Sequence, residues 1–347
     1  MFDIVAVADF SKPRRRRRFE WLLLFLLGSY REFVLPRARY PIHIGHIGEP
    51  PRGVRRMAEW CGARLVPCDP HGVLGKAISN KQRGLEIGGD CDRVLLVDCD
   101  VLFLQDPREL ADLPRGIAAS PSISALVPDA WWREAFAWAG VPYPSERIPS
   151  LSSEIGWVPQ RIRHPGETLE RHSMVPYFNG GIVYYPRDCG FAEAWPEMMR
   201  RIVERAPRED LGAKMLWQSD QTSLAVAIQH LAGMGVPWVR LPNRFHGRAE
   251  LLNRGALALR DAVLFHMMFF IKSAPKGVTL RQKVEEFFVR YAWQFDRWVP
   301  AAEARHDPVS RVRQWWRHRI RGRFAREELR RLIYRLLENQ VEPALRG

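Results

Sequence analysis

Cysteine is scarce, and none of it is spaced to bind metal: Cys61, Cys68, Cys91, Cys99 and Cys189 are an odd five with no Cys-x-x-Cys pair. That argues against a zinc ribbon and a disulfide framework, and makes reduced thiols in a cytosolic protein the simplest account. No internal repeat is present, and no apolar run reaches the roughly 18 residues that suggest a membrane span. The nearest approach is "FEWLLLFLLG" after the basic run Arg14–Arg18, which mimics a signal peptide. Against that reading, the strand-like "FDIVAVADF" precedes the basic run, Glu20 interrupts the apolar approach, and "SYREF" offers no small-residue cleavage site. The stretch reads instead as a first helix that buries Trp21 to Leu27. Acid is also short, with 39 Asp and Glu against 53 Lys and Arg, for a net charge of +14. The partners implied are anionic: phosphates, nucleotides, acidic lipids or nucleic acid, among which charge alone does not choose.

The 347 residues, 46% hydrophobic, suffice for one large α/β domain with an appendage, or for two domains. An apolar strand from Ile4 to Ala8, the first helix and a strand in "PIHIGHIG" give β-α-β order. A helix over "PRGVRRMAEWCG", a strand "ARLVP" and a helix over "AISNKQRGLEI" then deliver the chain to a buried-strand pattern, Val94 to Val97. Such repeated units imply a mostly parallel sheet with right-handed crossovers. Between Pro121 and Met174 the pattern loosens into an insertion long enough to serve a site. Its Trp131, Trp132, Trp138 and Trp157 are either a stacking platform for a sugar or acceptor, or core, the more frequent use of such residues.

The strand at Val94–Val97 ends in two acids, Asp98 and Asp100. Desolvating a carboxylate is costly unless a cation or hydrogen bonds compensate it, and two of them two residues apart repel. A divalent cation meets both conditions, since hard cations take oxygen ligands and are shared with substrate phosphates. Asp-x-Asp alone is a common pattern that can simply cap a loop. Its place at the carboxyl end of a parallel strand, where open α/β sheets gather ligands, makes it a candidate. Further on, "PYFNGGIVYYP" sets Asn179, Gly180 and Gly181 before a strand; paired glycines admit close backbone approach to a ligand, or form an ordinary turn. Ser219 and Asp220 stand in the N-cap region of a helix, followed by Gln221, and Asp220 can be only a cap. The strand "AVLFH" leads to His266, with Lys272 six residues later.

Taken in order, Asp98-x-Asp100, Phe178-Asn179-Gly180-Gly181, Asp220-Gln221 and His266 with Lys272 resemble the motifs of nucleotide-sugar-dependent glycosyltransferases of the GT-A fold. The resemblance is greatest to glycosyltransferase family 8, the retaining group that includes glycogenin and bacterial lipopolysaccharide galactosyl- and glucosyltransferases, and it runs from about Phe2 to Lys272. It implies an α/β fold, an open, mostly parallel twisted sheet flanked by helices, and transfer of a hexose from a UDP-sugar to a hydroxyl acceptor. By the same resemblance Asp98, Asp100 and His266 hold manganese or magnesium against the donor's phosphates, with Asp98 also on the donor side, and Lys81 and Lys272 contact the diphosphate. Ala8 and Asp9 match the nucleobase position. Asn179 and Gly180 match positions on the donor sugar, and Asp220 and Gln221 match the reacting face as the catalytic pair. The chain departs from the family's pattern at Gly180, where serine is usual, at "KSA" in place of Lys-Pro-Trp, and at Phe10 in place of a second acid on the first strand.

Residues 1–300 read as the catalytic domain and 301–347 as a basic amphipathic helical tail, with ten arginines between Arg311 and Arg335 against Glu327 and Glu328. Trp315, Trp316, Ile320, Phe324, Leu329, Leu332, Ile333 and Leu336 fall near helical spacing. Such a helix either lies in an anionic membrane interface or packs on the domain with its arginines in water. The first use implies a cytoplasmic enzyme held peripherally at the inner face of a membrane, acting on a lipid-linked or envelope glycan. Two other classes compete: a catalytically silent α/β protein whose tail binds membrane or nucleic acid, and an aspartyl phosphohydrolase. The latter normally carries Asp-x-Asp on its first strand, with threonine or valine where this chain has Leu102; nucleic acid is the weaker partner.

Overall fold

The structure, a computed structural model, describes residues 1–71, 79–123, 129–154, 157–159, 173–206, 219–267, 270–271, 274–295, 298–300 and 323–346. Strand β1 (Asp3–Asp9) is buried along its whole length, as an apolar strand covered on both faces must be. It pairs in parallel with β2 (Ile42–Ile47) on one side and β4 (Arg93–Val97) on the other, and β3 (Arg64–Pro67) continues beyond β2. After β4 come β5 (Val101–Phe103) and β6 (Ile117–Pro121). The described parts of the insertion hold helix α3 (Asp129–Ala139) and three short strands, β7 (Ile148–Pro149), β8 (Trp157–Pro159) and β9 (Ser173–Met174). β7 pairs with β9, and β8 with β14 (Trp298–Pro300).

Strand β10 (Phe178–Pro186) then inserts antiparallel between β4 and β6, and β11 (Trp238–Arg240) adds in parallel outside β6. The seven-stranded order is β11-β6-β10-β4-β1-β2-β3. This is the open, mostly parallel α/β sheet that the sequence leads one to expect. A second sheet joins β5 to β13 (Leu264–His266) and β12 (Gly247–Arg248). It stands where β4 ends, and so it builds the site.

Helix α1 (Pro13–Phe33) follows β1 directly, and Trp21 to Leu27 are each at most 3% exposed. A helix that is apolar all round must be covered all round. Strand β1 contributes one part of that cover and α2 (Arg52–Cys61) another; α2 ends at Gly62 with φ 66°, the left-handed conformation that suits glycine at a helix C-terminus. The remaining cover comes from the far end of the chain. Residues 323–346 are helical, and Leu329, Ile333, Leu336, Leu337, Val341 and Ala344 join the same apolar core. Gly28 permits the close crossing, because a Cβ there would stand 2.9 Å from Cβ of Gln340. Gln340 in turn accepts from Arg31 at 3.1 Å and donates to Glu32 at 2.7 Å.

Of the tail's eight apolar residues, Leu329, Ile333 and Leu336 are fully buried, Leu332 is partly buried on the same core, and Phe324 is 74% exposed. Trp315, Trp316 and Ile320 lie outside the described residues. The apolar side of the last two dozen residues is therefore committed to the catalytic fold. Among the described residues no helix is long and apolar enough to cross a membrane, and all five cysteines are free.

One local expectation changes. Ser79–Glu86 is a 3₁₀ helix where an α-helix over "AISNKQRGLEI" was expected. Gly84 is pressed onto the sheet there, so that a Cβ would lie 2.8 Å from Cδ1 of Leu96. Three of the insertion's tryptophans take the more frequent of their two readings, core: Trp132 is 2% exposed, and Trp131 and Trp138 pack on the same cluster; the side chain of Trp157 is not among those described.

Truncating the tail's buried face should therefore cost global stability. Ile333→Ala or Leu336→Ala should each destabilise by about 2–5 kcal/mol, read from the chemical-denaturation midpoint. Phe324→Ala should stay within about 0.5 kcal/mol of the parent.

Candidate active site

Three elements deliver the central residues. Strand β4 ends at Val97, and the Asp98 N–H donates to the Gly181 carbonyl at 2.8 Å, extending the pairing with β10 by one step. Strand β13 runs antiparallel to β5 with His266 opposite Val101, and the Met267 N–H donates to the Asp100 carbonyl at 2.8 Å. The ligand atoms of Asp98, Asp100 and His266 consequently all lie within 4.8 Å of one another. Nε2 of His266 is 3.3 Å from Asp100 Oδ1 and 4.0 Å from Asp98 Oδ2. The carboxylates keep an accessible edge, 29% for the Asp98 side chain and 16% for Asp100.

Gly181 makes this approach sterically possible. A Cβ on it would fall 2.2 Å from Cε1 of His266, inside any permissible contact, so the imidazole lies directly against the β10 backbone. Gly180 is different: its nearest obstacle is Nζ of Lys81 at 3.4 Å. The Asn179 side chain shapes the same turn, accepting the Gly181 N–H at 2.9 Å.

Lys81 projects from the 3₁₀ helix between two acids. Its Nζ is 3.0 Å from Asp98 Oδ1 and 3.0 Å from Asp220 Oδ2, and it donates to the Gly180 carbonyl at 3.3 Å. Burial alone would favour a neutral amine, but Asp98 and Asp220 outweigh it and raise the lysine pKa above its ordinary value. Burial pushes the Asp98 carboxyl up, with Asp100 and Asp220 adding to it against Lys81 and His266. Asp100 goes the other way: burial would raise it, but the charge and hydrogen bond of His266 and the charge of Arg18 hold it below the usual carboxylate range. Asp220 opens helix α5 (Ser219–Gly233), which packs against α4 (Phe191–Arg205). The buried indole of Trp195 donates to the Asp220 carbonyl at 3.1 Å and to Ser223 Oγ at 3.0 Å. Oδ1 of Asp220 is buried and, among the described residues, has no hydrogen-bond partner. Gln221 follows it, half-buried.

The carboxyl end of β1 is laid out differently from the motif's simplest reading. Ala8 is fully buried, and the Asp9 carboxylate is 2% exposed and already engaged. It accepts from the Ser11 N–H at 3.0 Å, from Asn80 Nδ2 at 3.2 Å and from Arg15 Nη1 at 2.6 Å. Asp9 thus ties β1 to the start of α1 and to the segment that carries Lys81. Lys272 lies outside the described residues.

Two residues near the centre escaped the sequence reading. His246 is fully buried, with Nε2 3.2 Å from Nδ1 of His266. Its burial, with the charges of Arg248 and His266, depresses its pKa well below the usual value and keeps the ring neutral. Arg18 came under notice only as part of a basic run, yet its charge reaches Asp100, and its Nε is buried without a partner among the described residues. The density of arginine in "RRRRR" was the available signal for Arg18. "NRFHGR" offered none for His246.

A mostly parallel α/β sheet with acids at its carboxyl edge and a distant histidine brought to them is the arrangement that the glycosyltransferase resemblance leads one to expect. The chain belongs to the family described as the Rhodobacterales glycosyltransferase domain, matched over residues 44–232, which include Lys81, Asp98, Asp100, Asn179, Asp220 and Gln221. No curated protein matches it. Among solved structures it is similar to the galactosyltransferase LgtC in complex with donor and acceptor sugar analogs, at 16% identity over 90% of this chain and 100% of that one, with a TM-score of 0.44. It is also similar to the bifunctional glycosyltransferase WbbM, at 13% identity over 85% of this chain and 50% of the other, TM-score 0.45. The glycosyltransferase GlyE of Streptococcus pneumoniae TIGR4 matches at 12% identity over 94% of this chain and 62% of its own, TM-score 0.46.

The unequal glycines provide a test of the site's construction. If the three residues hold a divalent metal, Gly181→Ala should displace the His266 ring and weaken its binding by about tenfold or more, whereas Gly180→Ala, whose Cβ would meet only ordinary contacts with Lys81 Nζ at 3.4 Å, Leu224 Cδ2 at 3.5 Å and Asp220 Oδ2 at 3.9 Å, should leave metal affinity and melting temperature close to the parent. Isothermal titration with Mn2+ alongside thermal unfolding distinguishes the two.

Proposed function

We propose that the protein transfers a hexose from a UDP-sugar to a hydroxyl acceptor with retention of anomeric configuration, using a divalent metal ion held by Asp98, Asp100 and His266. The observation that carries this reading is the convergence of those three residues, with every ligand atom within 4.8 Å of the others. Two carboxylates and one imidazole fit manganese or magnesium, which favour oxygen donors and keep positions for substrate phosphates. Such an ion, when bound, supplies Lewis-acid stabilisation to the departing diphosphate.

The chain's own groups divide the remaining work. Lys81, held charged between Asp98 and Asp220, faces the donor as a fixed cation, and such groups contribute most where negative charge develops. Lys272 is proposed for the same diphosphate. Asp220 uses Oδ2 on Lys81 and leaves buried Oδ1 to accept a hydroxyl of the donor sugar. Gln221 lines the reacting face beside it, with Asn179 and Gly180 on the sugar. The loop that Asp9 braces after Ala8 meets the nucleobase.

For the acceptor we propose a lipid-linked or envelope glycan, reached from the cytoplasmic face of a membrane. Support comes from the net charge of +14 and the arginines of 301–347. Because the apolar side of 323–346 is engaged by the domain, attraction to an anionic surface would be mainly electrostatic and salt-sensitive, each basic group near the leaflet being worth on the order of 1 kcal/mol. We assign 1–300 as the catalytic unit and 301–347 as an appendage, of which residues 323–346 pack on it.

Manganese-dependent turnover of UDP-sugars, with the product's anomeric configuration read by NMR, tests the reading. Asp98→Asn and Asp100→Asn should each lower turnover by at least about 100-fold; the melting temperature should hold or rise slightly for Asp98→Asn, whose charge burial disfavours, and fall for Asp100→Asn, whose charge His266 stabilises. Lost activity with full retention of Mn2+ and UDP affinity would contradict the assigned role.

A further inference from the structure

The His266 ring has three surroundings, each with a different consequence. Nε2 faces Asp100 and Asp98 at 3.3 and 4.0 Å. The Cε1 edge lies on Gly181, where a Cβ would be 2.2 Å away. Nδ1, at the back, meets Nε2 of His246 at 3.2 Å, with the two rings tilted 38° and their centroids 5.4 Å apart. His246 is fully buried and ends the 3₁₀ turn Asn243–His246 just before β12, whose Arg248 pairs in register with His266 on β13. The parallel pairing of β12 with β13 thus sets the two imidazoles face to back, away from solvent.

We propose that His246 is a positioning residue for the metal ligand: it accepts the Nδ1–H of His266 and so fixes both the tautomer and the rotation that aim Nε2 at the Asp98–Asp100 cleft. An imidazole that ligates through Nε2 carries its proton on Nδ1 and needs an acceptor behind it. In most metal sites a carboxylate or a backbone carbonyl fills that place; here a second imidazole does. This leaves no further negative charge next to Asp98, Asp100 and Asp220. The inference rests on the metal reading of the site.

The test is Mn2+ affinity measured by titration calorimetry on the full chain without donor, together with the ¹⁴N modulation of bound Mn2+ in pulsed electron paramagnetic resonance. His246→Phe keeps an aromatic ring and removes the acceptor, whereas His246→Gln returns an acceptor at similar reach. The expected result is a loss of about 10–100-fold in Mn2+ affinity and an altered imidazole modulation for His246→Phe, both largely restored in His246→Gln. Should His246→Phe fail to fold, His246→Asn, whose amide is too short to reach, takes its place with the same expectation. If wild type binds Mn2+ and the acceptor-free variant matches it within twofold with unchanged modulation, the inference is overturned alone. If wild type binds no Mn2+, the metal reading falls and takes this inference with it.

Discussion

Three carboxylates, the half-buried Asp98 and Asp100 and the buried Asp220, meet at one edge of the sheet, and the local structure is organised by what opposes their charge. Buried acids of like sign cannot share a site without counter-charge or hydrogen bonds. Lys81 supplies one answer, with Nζ 3.0 Å from both Asp98 and Asp220. His266 supplies another at Asp100, and Arg18 adds longer-range charge from α1. These groups come from sequence positions far apart, so the fold has to bring a 3₁₀ segment, a helix start and a strand end to the same few ångströms, with the first helix close enough for its charge to be felt. This balance of charge is what the proposed divalent ion and diphosphate would meet.

The geometry depends on where two sheets touch. Strand β10 enters antiparallel beside β4 with Asn179, Gly180 and Gly181 near its start, so its backbone runs alongside the end of the acid-bearing strand. The small sheet of β5, β13 and β12 then presses His266 onto Gly181, and His246 closes the far side of the ring. A glycine with no Cβ is what lets an imidazole and a strand backbone occupy adjacent space.

Support for this edge comes from further away. The first helix starts beside Asp9 and carries Arg15 and Arg18 toward the site, and its other turns are held by the sheet, by α2 and by the C-terminal helical residues. An apolar helix needs cover on every side, and residues 329–344 provide the last of it. The same packing leaves much of the tail's arginine on the outside: Arg323, Arg331 and Arg335 are exposed, while Arg330 pairs with Glu285 at 2.8 Å.

By itself the sequence determined what depends on near neighbours: the strands and helices whose periodicity or apolar runs are unambiguous, the burial of Trp21–Leu27, the end of α2 at Gly62, and the pairing of acid with strand end at Asp98 and Asp100. Only the tertiary structure decided the rest. The Lys81–Asp220 ion pair spans 139 positions of chain, so no local pattern announces it. The contact of His246 with His266 depends on the register of two short strands, and a one-residue slip would turn the ring away. The tail's apolar stripe was compatible with a lipid surface or a protein surface, because periodicity records that a face is buried and not what buries it. Which of the two holds Leu329, Ile333 and Leu336 was settled by α1, an apolar helix with one side still to be covered, and by Gly28, which lets the last helix come near enough to cover it.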